Sequence, residues 1–246
     1  MAATNAILRS EVRLFRREAA AMFWILAFPS VLLCILGAIP AFRDPKQGVD
    51  GVTVIALYTN IVVITSMVMA SLQSLPAVLT GYRERGILRR ISTTPASPGA
   101  LLAAQFVIHL TAIICSSLLA LLLARIVFAV GLPSQPIGFV VTFVLAAATM
   151  LAFGSLVSSL STNTKVAGAL GTIAFFPMLF TAGMWVPVAA MPHVLRQIVE
   201  WFPMGAAARA FDQTASGSWP GAAHLVMMVA WLVVAAVIAV RSFRWE

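Results

Sequence analysis

The chain has 246 residues, of which 61% are hydrophobic and 10% charged, with a formal net charge of +8, and its mean hydropathy is +0.99. So little polar surface cannot cover a water-soluble core, which excludes a soluble enzyme and leaves room for roughly six membrane spans of about 20 residues. The basic balance does not indicate nucleic acid, because the arginines and lysines fall at the ends of apolar runs rather than along one face.

Thr4 or Asn5 can cap a first helix over residues 4–19, where Leu8, Val12, Phe15 and Ala19 recur at helical spacing beside a stripe of Arg9, Arg13, Arg16 and Arg17. Such an amphipathic helix lies on the membrane surface. It is either a basic flank that fixes topology or a helix that docks a partner. A cleaved leader is not expected, since no A-x-A site follows the apolar run and many spans come after it. The first span is predicted over about 20–42, with Pro29 expected to kink it or loosen its hydrogen bonding, and a polar turn over 43–51 leads to a second span over 52–79. Along that span Asn60, Met67, Ser71 and Ser74 fall on one side of a helix.

A charged loop over 81–98 follows, holding Arg83, Glu84, Arg85, Arg89 and Arg90. Gly81 and Pro95 bracket a helical-looking piece with an apolar edge of Ile87, Leu88 and Ile91, and its arginines are free for an acidic partner surface. On spacing alone, a loop that only sets topology fits as well as a docking element.

The third span is predicted from 100 to 123 or beyond, with Arg125 snorkelling at its end; the fourth covers 137–160 and the fifth 166–185, with Pro177 inside it. Gly154 with Ser158, and Ala167 with Gly171, have the small-xxx-small spacing of close helix contacts, a spacing that Ala-rich helices also show by chance. The region 186–220 is broken by Pro187, Pro192, Pro203 and Pro220, yet Val194, Leu195, Ile198, Val199 and Phe202 form an amphipathic face, so short helices at the outer surface, dipping into lipid as a re-entrant hairpin, are expected. The last span, 222–240, ends in a basic and aromatic anchor containing Arg241, Arg244 and Trp245. The fold class is therefore an all-α integral membrane protein, a single domain over 1–246 with six transmembrane helices.

Eleven arginines and lysines lie on the side of both termini and the 81–98 loop, against five on the other, which places both termini in the cytoplasm. No Asp or Glu falls within a predicted span, so the carboxylate relay of a proton- or sodium-coupled transporter is missing. Catalytic signatures are absent as well, and His109, mid-span without a partner acid, is expected to make a hydrogen bond between helices. Cys34 and Cys115 lie inside apolar runs and imply no metal site or disulfide framework. With no Walker A sequence, energy for active transport would have to come from another chain.

The run from Arg83 to Pro95 resembles the cytoplasmic signature of ABC-transporter permeases of the type-2 export family, a Glu-x-Gly-x-Leu core followed by Thr-Pro, which Glu84, Gly86, Leu88, Thr94 and Pro95 match. The similarity extends over the whole chain, in the amphipathic N-terminal helix, the six spans and the broken helices before the last span, and it includes bacterial permeases of drug and antibiotic-resistance exporters. One departure is that Gly81, Tyr82 and Arg83 stand where many members carry an additional acid.

The resemblance implies a non-catalytic permease of the bacterial inner membrane that pairs with a second permease copy and with separate ABC ATPase subunits. ATP and magnesium would be bound by those subunits, and none by this chain. The loop would act as a coupling helix on the ATPase through Arg83, Glu84, Arg85, Gly86, Leu88, Arg89, Arg90, Thr94 and Pro95, with Arg13, Arg16 and Arg17 making a neighbouring contact. Family analogy puts the second and fifth spans at the central interface, where Asn60, Ser71, Ser74 and Thr172 are candidates for lining a substrate path, with simple interhelical bonding as the competing role. The expected cargo is a hydrophobic or amphipathic compound such as a drug, antibiotic or lipid-like metabolite. A stand-alone secondary transporter or channel, or export of a polysaccharide, is the alternative.

Overall fold

Long apolar runs fold as helices in lipid because only bonds within the segment can satisfy their backbone. The computed structural model describes residues 2–48, 52–87 and 98–242. It holds six helices long and apolar enough to cross a membrane, Ala19–Gly37, Val54–Glu84, Gly99–Phe128, Pro136–Leu160, Thr164–Thr181 and Ala222–Ser242, here the first to sixth spans. An N-terminal helix, Ala2–Arg17, precedes them, and two short helices, His193–Glu200 and Pro203–Ala215, stand between the fifth and sixth. The N-terminal helix, the end of the second span at Glu84, the start of the third at Gly99 and the turn at 161–163 lie at one end of the bundle, the basic face; the other described connections lie at the opposite face.

Several boundaries differ from expectation. The N-terminal helix stops at Arg17 rather than 19, because Glu18 leaves helical geometry. The first span ends at Gly37, after which Ile39 is extended and Pro40 opens a single turn, Pro40–Arg43. The second span runs on to Glu84, so Gly81, expected to open the coupling loop, is a buried helical residue, and the loop begins only at Gly86. The fifth span ends at Thr181, short of 185.

The second span is the hub of the bundle. Within its most apolar window 89% of residues are buried inside the chain, against 17–44% for the other spans. The first, third, fourth and fifth spans and the Pro203–Ala215 helix pack around it, and the sixth packs mainly on the fourth. The second span is thus largely enclosed by its own chain, whereas the fifth keeps Ile173, Phe176 and Phe180 exposed.

Prolines set the local winding of two spans. Pro29 and Pro76 each lack an N–H and would clash with the carbonyl four residues back, Ile25 and Leu72 respectively; in both cases the helix widens to π geometry across that carbonyl, over Phe23–Ala27 and Met69–Ser74. In the second span the loosened carbonyls are covered by glycines from neighbours. A Cβ at Gly171 would overlap the Leu72 carbonyl oxygen, and one at Gly154 the Ser71 carbonyl oxygen. The fourth and fifth spans therefore approach the hub at backbone distance, where Cα–H groups meet carbonyls.

Toward the opposite face, the Pro203–Ala215 helix is mostly buried, its Ala206, Ala207 and Ala210 fully so. The His193–Glu200 helix buries Val199 but leaves Val194 and Ile198 exposed beside Trp201. Arg209 and His224 hold Glu200 at 3.0 and 3.7 Å, and the Trp231 indole donates to the Trp201 carbonyl at 2.8 Å. Exposed tryptophans at 185, 201 and 219 complete this end, a composition suited to a membrane–water boundary.

Candidate functional site

The basic face is organised by the last helical turn of the second span. Because that helix continues to Glu84, consecutive side chains of the motif point to different neighbours. Arg83 donates from its guanidinium to the carbonyl of Ser161 and, at 3.4 Å, to that of Ser158, so it caps the C-terminal end of the fourth span. Glu84 Oε1 accepts from the backbone N–H of Thr164 at 3.1 Å, at the first turn of the fifth span. A cation thus sits at a helix C-terminus and an anion at a helix N-terminus, both favoured by the helix dipoles. Asn163 accepts from the Val166 N–H at 2.9 Å and completes the N-terminal cap. The two residues together clasp the whole turn between the fourth and fifth spans.

Immediately beyond, Gly86 has φ +63°, and a Cβ added to it would meet none of the described residues within 4 Å; its N–H bonds the Arg83 carbonyl at 3.0 Å. This is the left-handed residue that closes a helix C-terminus, and it gives the glycine of the Glu-x-Gly motif a conformational reason. Arg85 is exposed beside it. Leu88, Arg89, Arg90, Thr94 and Pro95 lie outside the described residues.

The N-terminal helix is fastened to the same turn. Glu11, 8% exposed, accepts from the Tyr82 hydroxyl and from Gln105 Nε2 at 2.7 Å, and Gln105 also donates to the Tyr82 oxygen at 3.2 Å. One carboxylate therefore joins the N-terminal helix to the second and third spans. Phe15, one turn on, meets the His109 ring edge-on at 5.8 Å. His109 hydrogen-bonds Ser74 Oγ at 3.1 Å and the Gln105 carbonyl at 2.9 Å, the bond between helices expected of it. The inward stripe is thus Glu11 and Phe15; Val12 is 40% exposed and Ala19 is exposed, contrary to the apolar stripe expected. Arg13, Arg16 and Arg17 are exposed, and Arg17 shares a cleft of about 580 Å³ with Arg85, Tyr82 and Thr164.

The four residues considered for a substrate path are not together. Ser74 and Thr172 line a cleft of about 470 Å³ with Trp24, Phe175 and Phe176, between the first, second and fifth spans. Ser71 is fully buried in the π segment, its hydroxyl without a partner among the described residues. Asn60 lies at the opposite end, donating to Asp212 at 3.0 Å.

Three features escape sequence reasoning. Pro76 carried a signal, a proline inside an apolar run. Glu11 carried one too, since it stands three residues after Leu8 and four before Phe15, on the face that packs. The Asn60–Asp212 bond had none, because its partners are 152 residues apart.

No curated protein matches the sequence. A family model described as ABC-2 type transporter matches residues 2–215, nearly all of the chain and all of the basic-face machinery described above. With six apolar helices around a buried hub, the chain is a multi-pass membrane protein that belongs to the ABC-2 type transporter family as a permease, a transport subunit.

Proposed function

We propose that this permease is the membrane subunit of an ATP-driven exporter, energised by a separate ABC ATPase that docks on the basic face. The observation that carries the reading is the clasp of Arg83 and Glu84: the residues that open the coupling motif hold the adjoining ends of the fourth and fifth spans. Movement of the 85–98 connection would reach three spans through two contacts. Glu11 extends the same mechanical unit to the N-terminal helix, whose exposed Arg13, Arg16 and Arg17, with Arg85, form a basic surface for an acidic partner. Leu88, Arg89, Arg90, Thr94 and Pro95 would supply the rest of the docking surface. ATP and magnesium would sit on the partner chain.

In this reading the basic face is cytoplasmic, by the excess of arginine and lysine there, eleven against five, and the membrane is the bacterial plasma membrane. The Pro203–Ala215 helix and its neighbour act as the re-entrant hairpin of the outer side. The exposed apolar side of the fifth span, with Ile173 and Phe176, meets a second permease copy. The cleft of Ser74, Thr172 and three aromatic rings suits an amphipathic or hydrophobic cargo of the drug, antibiotic or lipid-like class. Co-purification from the native membrane tests the reading. Recovery of a Walker-containing ATPase, and ATP-dependent transport lost in Glu84→Ala, is the expected outcome; flux driven by an ion gradient without ATP overturns it.

A further inference from the structure

At the opposite face, away from the coupling machinery, a cleft of about 390 Å³ opens between the start of the second span, the loop before the fourth, and the end of the Pro203–Ala215 helix. Asp212 and Arg43 both line it. Asp212 is partly buried, and its Oδ1 accepts from Asn60 Nδ2 at 3.0 Å. Among the described residues that is the only hydrogen bond of its side chain, which leaves Oδ2 without a partner there. Asn60 donates through its nitrogen, so its own carbonyl oxygen remains available to accept. Arg209, on the same helix, is held by Glu200 at 3.0 Å. Among the described residues no ion pair joins Arg43 to Asp212. Opposite charges thus face one small space without meeting.

A half-buried carboxylate with one amide partner keeps an oxygen open to the cleft, and an ammonium group is the chemistry that would pair with it. A guanidinium in the same cleft would repel a plain cation but would hold a carboxylate or phosphate by two parallel bonds. Apolar surface from Leu121, Phe128 and Leu132 completes the lining and suits a short aliphatic stretch between the two charges. The volume is at the low end of small-molecule sites, which run to roughly 300–1,000 Å³. It fits a small solute or a headgroup rather than a whole lipid.

We propose that this cleft is a binding site for a small zwitterion, with its ammonium between the Asp212 carboxylate and the Asn60 carbonyl oxygen and its anionic group against Arg43. The site is independent of the ATPase partner, so its test is read on the permease alone and does not stand or fall with the export reading. Burial pushes the Asp212 carboxyl up to about 6, so affinity falls as pH drops below that value; Arg209, itself paired with Glu200, favours the charged form, and among the described residues Arg43 is the other charge that lines the cleft.

The test is calorimetric titration of the purified full chain in detergent with phosphoethanolamine, with ethanolamine and inorganic phosphate as the half-ligands. Saturable binding of phosphoethanolamine, with both half-ligands weaker by about tenfold or more, is expected from the loss of one charge-assisted contact. Asp212→Asn and the exposed-site variant Arg43→Gln should each weaken it by a similar factor while remaining folded and monodisperse. Repeating the titration in phosphatidylglycerol nanodiscs with and without phosphatidylethanolamine identifies the source: competition supports a lipid headgroup at the site, and no competition supports a free solute there. Absence of saturable heat up to about 10 mM, a weak limit of affinity, or unchanged binding in both variants, overturns the proposal.

Discussion

The carboxylate of Glu84 accepts a hydrogen bond from the backbone N–H of Thr164 at 3.1 Å, so the last residue of the second span is seated on the first turn of the fifth. A carboxylate in this position contributes about 0.3–1 kcal/mol through the helix dipole. Glu84→Ala should therefore lower thermal stability only slightly, yet cut ATP-driven transport by the reconstituted complex about tenfold or more; Glu84→Gln, which keeps an acceptor but no charge, should fall between. Wild-type transport in Glu84→Ala would remove the clasp from the mechanism.

Gly86 is left-handed and has none of the described residues crowding it, so a substitution there is opposed by backbone strain. Gly86→Ala is expected to cost about 1–2 kcal/mol locally, and Gly86→Asn less, because Asn tolerates the left-handed region. The readout is affinity for the ATPase partner beside the melting temperature. Equal effects of Ala and Asn would show that the conformation is not what the position requires.

Two glycines one turn apart on the fifth span separate packing from propensity. A Cβ at Gly171 overlaps the Leu72 carbonyl, whereas one at Gly168 meets none of the described residues within 4 Å. Gly171→Ala should destabilise by about 1–3 kcal/mol, as overpacking does, and Gly168→Ala should be neutral or slightly stabilising. Thermal melts in detergent decide it, and equal melting of the two variants would contradict the close approach of the fifth span to the hub.

Tyr82 and Gln105 both donate to Glu11. Tyr82→Phe removes one donor and should cost about 1–3 kcal/mol at a charged acceptor. The loss should appear as faster amide exchange confined to residues 2–17, with the six spans unchanged. Uniform exchange across the chain would mean that the contact is structural for the whole bundle.

Asp212 gives a stability that depends on pH. Its carboxyl is raised from 3.8 to about 6, chiefly by burial, with the Asn60 bond and Arg209 opposing. A raised folded-state value means that the stabilising difference is fully present below about 3.8 and is lost as pH rises through about 6. Asp212→Asn should consequently melt above the wild type at pH 8, by the equivalent of roughly 1–3 kcal/mol, and the gap should narrow toward pH 5. A gap that does not change with pH would place the carboxylate in contact with solvent.

The six spans, their order and the basic face were legible because a lipid solvent imposes length and hydropathy on any crossing helix. Arg83 and Glu84 were legible as a motif but not as a clasp, since nothing local to them names Ser161 or Thr164. Gly154 and Gly171 stood out by spacing that Ala-rich helices share by chance; only the carbonyls loosened by Pro76 give that spacing a meaning. Asn60 reads as a pore candidate because polar residues in spans invite that role, and its actual partner lies in a segment that composition assigns to the surface. The coupling residues from Leu88 to Pro95 were legible only as a resemblance.

The burial of the second span also has a consequence for how the protein is made. This helix leaves the ribosome before most of the chain that will enclose it. Ser66 waits for Ser117, Thr80 for Ser158, and Asn60 for Asp212, which follows 152 residues later. At synthesis rates of about 5–20 residues per second that last interval is roughly 8–30 s, during which polar groups in a hydrocarbon setting lack their final partners. The span that ends as the most enclosed of the six therefore enters the membrane with polar side chains whose partners have still to be made.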